Sequence, residues 1–291
     1  MTFDSPLGSA IVGSFERLLR ALDLAPVGDD RYLVQSEPDE MFDRVYGGQL
    51  LAEALMGAGA TVTGKAASSL HATFTRAGTP GRSHEVVVTR IRDGRSMSTR
   101  QVAVVEDGRE LLVALASFHT NATEPDVAGP MPVASSPAGV PLLQDWAREH
   151  GRPWIEQPPP LELRMGEAPV FLGGSPARTS RSHWMRLPGA VGDDPLLHAA
   201  LLAYASDFFL MDMIFRAHPA GLGPGRANGV SLDHAIWFHR PVRFDRWHLH
   251  SQEAVTIVGD RGLARGAIHD ADGRLAASVM QEVLVLPVKT Q

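Results

Sequence analysis

The chain has 291 residues, 44% of them hydrophobic, with a formal net charge of −6 and no cysteine. Such a length fits one large domain or two ordinary ones, with enough apolar material for a packed core. The acidic balance argues against general nucleic-acid binding, which needs a basic surface. The missing cysteines exclude disulfides, thiol nucleophiles and cysteine-ligated metals.

Taken in order, the N-terminus MTFDSPLGSAIVGSF lacks the basic start and unbroken apolar run of a signal peptide, so a soluble cytoplasmic protein is expected. Ser14–Leu22 reads as a short amphipathic helix and Arg31–Ser36 as a short strand. Tyr46-Gly47-Gly48 opens a second helix, Gln49–Val62, rich in Ala, Leu and Met. Four strand-like stretches follow: Ser69–Ala77, His84–Ile91, Ser96–Glu106 and Glu110–His119. Asp93-Gly94 and Asp107-Gly108 read as hairpin turns, because Asp and Gly tolerate positive φ. The first half is therefore a helix followed by an antiparallel meander.

Residues 121–160 hold nine of the 21 prolines, including Pro158-Pro159-Pro160, around one helical island at Leu142–Glu149. This composition predicts a connection running over the surface and carrying little chemistry. Beyond it, Leu161–Arg164 and Ser182–Leu187 read as strands. Then comes Pro195–Phe215, with Asp194 as N-cap and Pro195 at the first helical position. No Gly or Pro interrupts until Pro219, so about 21 residues, roughly 31 Å, can be one helix. Apolar residues cover every face, the mark of a buried helix. A membrane span is the rival reading, but Asp207 and Asp212 inside it would each cost about 2.5–3.5 kcal/mol near the bilayer centre. Buried instead in a core, Asp207 must be paired, hydrogen-bonded or chemically employed. Val230–Arg240, Leu249–Val258, Gly262–His269 and Leu275–Leu286 complete the second set of strands.

The halves superpose in sequence. Phe74-x-Arg76 matches Phe238-x-Arg240 at an offset of 164, and Asp107-Gly108-Arg109 matches Asp272-Gly273-Arg274 at 165. Each half is one long helix followed by about four antiparallel strands, an internal duplication. A sheet that must cover a long apolar helix curls around it. The expected fold is α+β, a double hotdog: units at residues 1–122 and 160–291, joined by the proline-rich stretch 123–159.

Five motifs occur in order: Arg44-Val45-Tyr46-Gly47-Gly48-Gln49, His71-x-x-Phe74-x-Arg76-x-Gly78, Arg92-Asp93-Gly94-x-Ser96, Tyr204-Ala205-Ser206-Asp207 and Asp233-His234-x-x-Trp237-Phe238-His239-Arg240-Pro241. Together, from about Arg31 to Val285, they resemble the acyl-CoA thioesterase II family, the TesB-like double-hotdog enzymes. The resemblance implies hydrolysis of fatty acyl-CoA by a water held between an Asp, a hydroxyl and a Gln, here Asp207, Ser231 and Gln281. Ser231 departs from the family's Thr: the hydroxyl stays, but χ1 is freer than in a β-branched side chain. Ala77 stands where the family usually has Pro. The resemblance also implies a homo-oligomer.

The residue types suit the chemistry. A partly buried Asp can take the water's proton as general base, and a hydroxyl and an amide can fix the water. The thiolate leaves easily, so no covalent intermediate is required, and neither a cofactor nor a metal is expected. The helix start at Gly48 and Gln49 is the candidate site for the oxyanion, because helix N-termini offer free N–H groups. Gln49 stands near the place of Asp207 in the first half, which implies one active centre. Phe208, Phe209, Met211 and Met213 are candidates for the acyl chain. Arg76, Arg92, Arg95 and Arg100 are candidates for the CoA phosphates.

Other readings are weaker. His234, His239, His248 and His250 lack a third metal ligand of fixed spacing, and His71 and His234 are expected to support the sheet–helix junction. Gly229-Val230-Ser231-Leu232-Asp233 misses the final Gly of a serine-hydrolase elbow and leads into a strand. A hotdog hydratase would rely on an acid–His pair. The rival of a different class is an acyl-CoA-binding protein that keeps the fold and lacks turnover.

Overall fold

The computed structural model describes residues 5–37, 43–120, 125–151, 153–175, 179–223, 226 and 228–286. The expected boundary at 122/123 lies outside them. Helix α1 (Pro6–Leu22) starts earlier than expected, since Ser5 caps Gly8 N–H at 3.1 Å and Pro6 occupies the first turn. Strands β1 (Ala25–Gly28) and β2 (Arg31–Val34) follow, then helix α2 (Gly47–Ala60) and the meander β3 (Ala66–Phe74), β4 (His84–Asp93), β5 (Met97–Glu106) and β6 (Arg109–His119). Among the described residues the connection carries two short α-helices, α3 (Leu143–His150) and α4 (Pro153–Glu156). Next come β7 (Glu162–Met165), β8 (Ser180–Arg186), α5 (Pro195–Ser206), α6 (Leu210–Ala217), β9 (Gly229–Ser231), β10 (Asp233–Phe238), β11 (His248–Val258), β12 (Arg261–Asp270) and β13 (Leu275–Val285).

All the strands join one antiparallel sheet in the order β1-β2-β4-β5-β6-β3-β10-β13-β12-β11-β8-β7, with β9 beside β13. The order reads the same from both ends once β2 is matched with β8, β3 with β10, β4 with β11, β5 with β12 and β6 with β13. The middle is the β3–β10 pair, in register at Ala235 and His71. Helix α2 lies on β3 to β6, and α6 lies on β11, β12 and β13.

The sequence predicts one helix over Pro195–Phe215, but the structure breaks it. Helix α5 ends at Ser206, Asp207 to Phe209 form a turn, and Phe209 adopts a left-handed φ of 67°. A non-glycine residue there costs about 1–2 kcal/mol, and distant residues hold it. Gln252 from β11 donates to the Phe208 carbonyl at 2.7 Å. The Arg181 guanidinium lies 5.0 Å from the Phe209 ring, and Trp154 and Phe171 stack beside it. The second half's sheet-covering helix is therefore the short α6. Helix α5 packs against α2 instead and touches β3 and β10.

The stretch Pro195–Ala217 is long and apolar enough to cross a membrane, yet 83% of its apolar window is buried inside the protein. Strand Val230–Arg240 is also broken. At Leu232 the backbone switches partners, accepting from Phe74 N–H while donating to Glu282 (both 2.9 Å). The Asp233 carboxylate accepts from Glu282 N–H at 2.8 Å.

Candidate active site

The start of α2 meets the end of α5. Helix α2 begins at Gly47-Gly48, and a Cβ at Gly48 would lie 2.2 Å from the Tyr204 carbonyl oxygen of α5. Only glycine allows that approach. A Cβ at Gly47 would lie 2.8 Å from Asp207 Oδ2, so the glycine pair brings the N-terminus of α2 onto the carboxylate. The Gly48 N–H, the Tyr46 hydroxyl and the Gln281 amide face Asp207 and favour its ionised form. Its side chain is 7% exposed. Burial, the dominant cause, raises the carboxyl pKa to about 6, while the three donors pull it back down.

Gln281 also donates to Ser231 Oγ through Nε2, a short contact. Asp207, Ser231 and Gln281, far apart in sequence, thus stand together. His234, expected only to brace the sheet, joins them. Its Nδ1 is 3.0 Å from Gln281 Oε1 and 4.0 Å from Asp207 Oδ1, and its Nε2 is 2.9 Å from Ser206 Oγ. Burial lowers its pKa to about 4, so the ring is neutral at physiological pH. Its side chain is fully buried.

Tyr46, Gly47, Asp207, Ser231 and Gln281 line a cavity of about 580 Å³. Its walls are mostly apolar: Phe74, Phe208, Phe209, Met211 and Phe215 face it, joined by Trp154 and Phe171. The connection was expected to carry little chemistry, yet α4 contributes Trp154, which stacks on Phe171 with centroids 5.3 Å apart. Met213 is buried in the core and is not among the lining residues.

Several expected site residues stand elsewhere. The Gln49 side chain turns away and donates to Glu53 at 2.8 Å, and Glu53 pairs with buried His84 at 2.7 Å. Arg100 is buried, with its guanidinium committed to Asp93, Thr61 and the Arg92 and Thr99 carbonyls, which leaves it unfit to bind a phosphate. Arg92 and Arg95 are exposed at the β4–β5 turn. That is about 24 Å along β6 from Leu111, whose carbonyl receives Arg76 N–H. Arg76 is the one expected arginine at the cavity mouth, where it is half exposed. Arg44 lies there too, paired with Asp43 at 2.8 Å. His71 lies on the outer face of the sheet, edge-on to Trp237 at 4.9 Å, away from the helix junction.

Comparison with known proteins agrees across the chain. The family described as "Acyl-CoA thioesterase" matches residues 157–284, and "Acyl-CoA thioesterase N-terminal domain" matches 36–119. Acyl-CoA thioesterase 2 of Haemophilus influenzae is 30% identical over 283 residues, spanning 92% of this chain and 96% of that protein. The crystal structure of an acyl-CoA thioesterase II, TesB2, from Mycobacterium marinum is 31% identical with a TM-score of 0.77, covering 94% and 99% of the two chains. A hot dog fold protein from Alicyclobacillus acidocaldarius, 19% identical, reaches a TM-score of 0.75 over 92% of this chain and 97% of its own, a likeness of fold.

Proposed function

The chain belongs to the TesB-like acyl-CoA thioesterase II family and hydrolyses acyl-CoA; we propose that it does so as a tandem double hotdog, with Asp207 activating the water. The observation that carries this is the convergence of Gly48 N–H, the Tyr46 hydroxyl and the Gln281 amide on one buried carboxylate at an apolar cavity. The units are residues 1–122 and 160–291. The mirrored strand order and the β3–β10 seam support that division.

The acyl chain lies against Phe208, Phe209 and Met211, and Arg76 at the mouth meets the CoA end. A water between Asp207 and Ser231 loses a proton to Asp207 as its oxygen bonds to the thioester carbon. The carbonyl oxygen, now negative, lies at the positive end of α2, where Gly47 lines the cavity. The C–S bond then breaks, the CoA thiolate takes the proton from Asp207, and the carboxylate is restored. A carboxyl poised near 6 is ionised at neutral pH yet basic enough to accept a proton.

The test is free-thiol release from short, medium and long acyl-CoAs, with Asp207→Asn alongside. Turnover lost in the variant supports Asp207 as the base; wild-type turnover in it overturns that role.

A further inference from the structure

The hydrogens of the buried polar line can be assigned. Gln281 is fully buried, and its amide has two ends with different duties. Its NH2 supplies two hydrogens, one to Asp207 and one to Ser231 Oγ. Its Oε1 has none, so the hydrogen in the 3.0 Å contact with His234 belongs to Nδ1. The reverse orientation would set Oε1 against the Asp207 carboxylate, acceptor against anion. Nε2 of a neutral ring protonated at Nδ1 carries a lone pair, and Ser206 Oγ is 2.9 Å away to donate to it. The single Ser206 hydrogen is shared with the Ala203 carbonyl at 2.8 Å.

We propose that His234 is a positioning residue: as the Nδ1–H tautomer it locks the Gln281 amide with its NH2 toward Asp207 and Ser231. Ser231 then accepts from Gln281, and its own hydrogen is free to point at the water's lone pair. The direction of every hydrogen bond at the water follows from one histidine tautomer. This inference rests on the reading of Asp207, Ser231 and Gln281 as the water-activating group. The titratable groups facing the line are Asp207, Tyr46 on the other side of Asp207, and His250 of β11, which burial holds at a pKa of about 3.

Two substitutions separate the ring nitrogens. In His234→Asn the amide NH2 falls near the place of Nδ1; in His234→Gln it falls near Nε2. The Asn variant should keep kcat within about fivefold of wild type, and the Gln variant should lose about 30-fold or more with KM little changed. The acid limb of kcat/KM should stay near pH 6 in the Asn variant. It should rise by about one unit in the Gln variant, where Asp207 loses a donor and needs a higher pH to ionise. A merely structural histidine would give equal losses in both variants, and equal losses overturn the proposal. Wild-type kcat and acid limb in both also overturn it; if Asp207→Asn is inactive in the same assays, the Asp207 reading stands. A fully active Asp207→Asn enzyme sinks that reading, and this inference falls with it. Should either His234 variant fail to fold, 15N spectra of histidine-labelled wild-type protein decide. A neutral Nδ1–H ring at His234 supports the proposal, and an Nε2–H ring overturns it.

Discussion

Leu70 and His234 fall at the same place in the two halves, 164 residues apart, each buried beneath a helix. Ala67 answers Ser231 at the same offset, and Ala116 answers Gln281 at 165. At these three positions the first half is apolar where the second carries His234, Ser231 and Gln281. Their helix starts differ in the opposite way. The first offers glycines that let a backbone N–H reach a carboxylate; the second offers the carboxylate, on a turn held by Gln252 and aromatic rings. The two halves are complementary, since one supplies the donor end of a helix and the other the titrating group with its network.

Removing the titrating group should have the largest effect. Asp207→Asn should lower kcat about 1000-fold, within the usual range for a positioned base, as measured by thiol release. The same variant should be more stable than wild type at pH 8. The folded carboxyl binds its proton more tightly than the unfolded one, so rising pH deprotonates the unfolded chain first and erodes stability. A rise from 3.8 to about 6 corresponds to a penalty of roughly 3 kcal/mol, which sets in between pH 4 and 6 and is absent below both values. Urea unfolding of both proteins at pH 4 and pH 8 checks the sign.

Making the first half resemble the second should cost stability without adding chemistry. Leu70→His places an imidazole where no partner waits, and should destabilise the fold by about 2–4 kcal/mol while turnover per folded molecule stays near wild type. Undiminished stability would mean that the apolar face of the first half tolerates a polar group after all. At Ser231 the expected changes are smaller. Ser231→Ala should lower kcat by about tenfold, because the water loses one of its partners. Ser231→Thr should match or slightly exceed wild type, the added methyl restricting χ1. An unaffected Ser231→Ala enzyme would remove that hydroxyl from the chemistry.

Much of this was legible in the sequence. The strand meanders follow from turn signals, and motif resemblance picks out Asp207, Ser231 and Gln281, which the fold brings to one cavity. What sequence periodicity missed depends on distant contacts. Nothing local to Ser206-Asp207-Phe208-Phe209 signals a break, because the residues that stabilise it lie on β8, β11 and the connection. His234 reads as a brace until Gln281, 47 residues later, is seen against its ring. Arg100 looks like any strand arginine in sequence; only folding shows its guanidinium filling the gap beside Thr61 and Asp93. Trp154 was hidden by the prolines around it.

The β3–β10 pair has a consequence for how the molecule can be divided. The outermost strands of the sheet, β1 and β7, are four residues each, short edges that give a foreign strand little to pair with. β3 and β10 are different: nine and six residues, regular, and satisfied by each other. A chain cut within the connection would turn both into open edges with rows of unpaired amides. Either fragment alone would then be prone to self-association, and the two would fold best in each other's presence, zipping along the seam that the intact chain closes within itself.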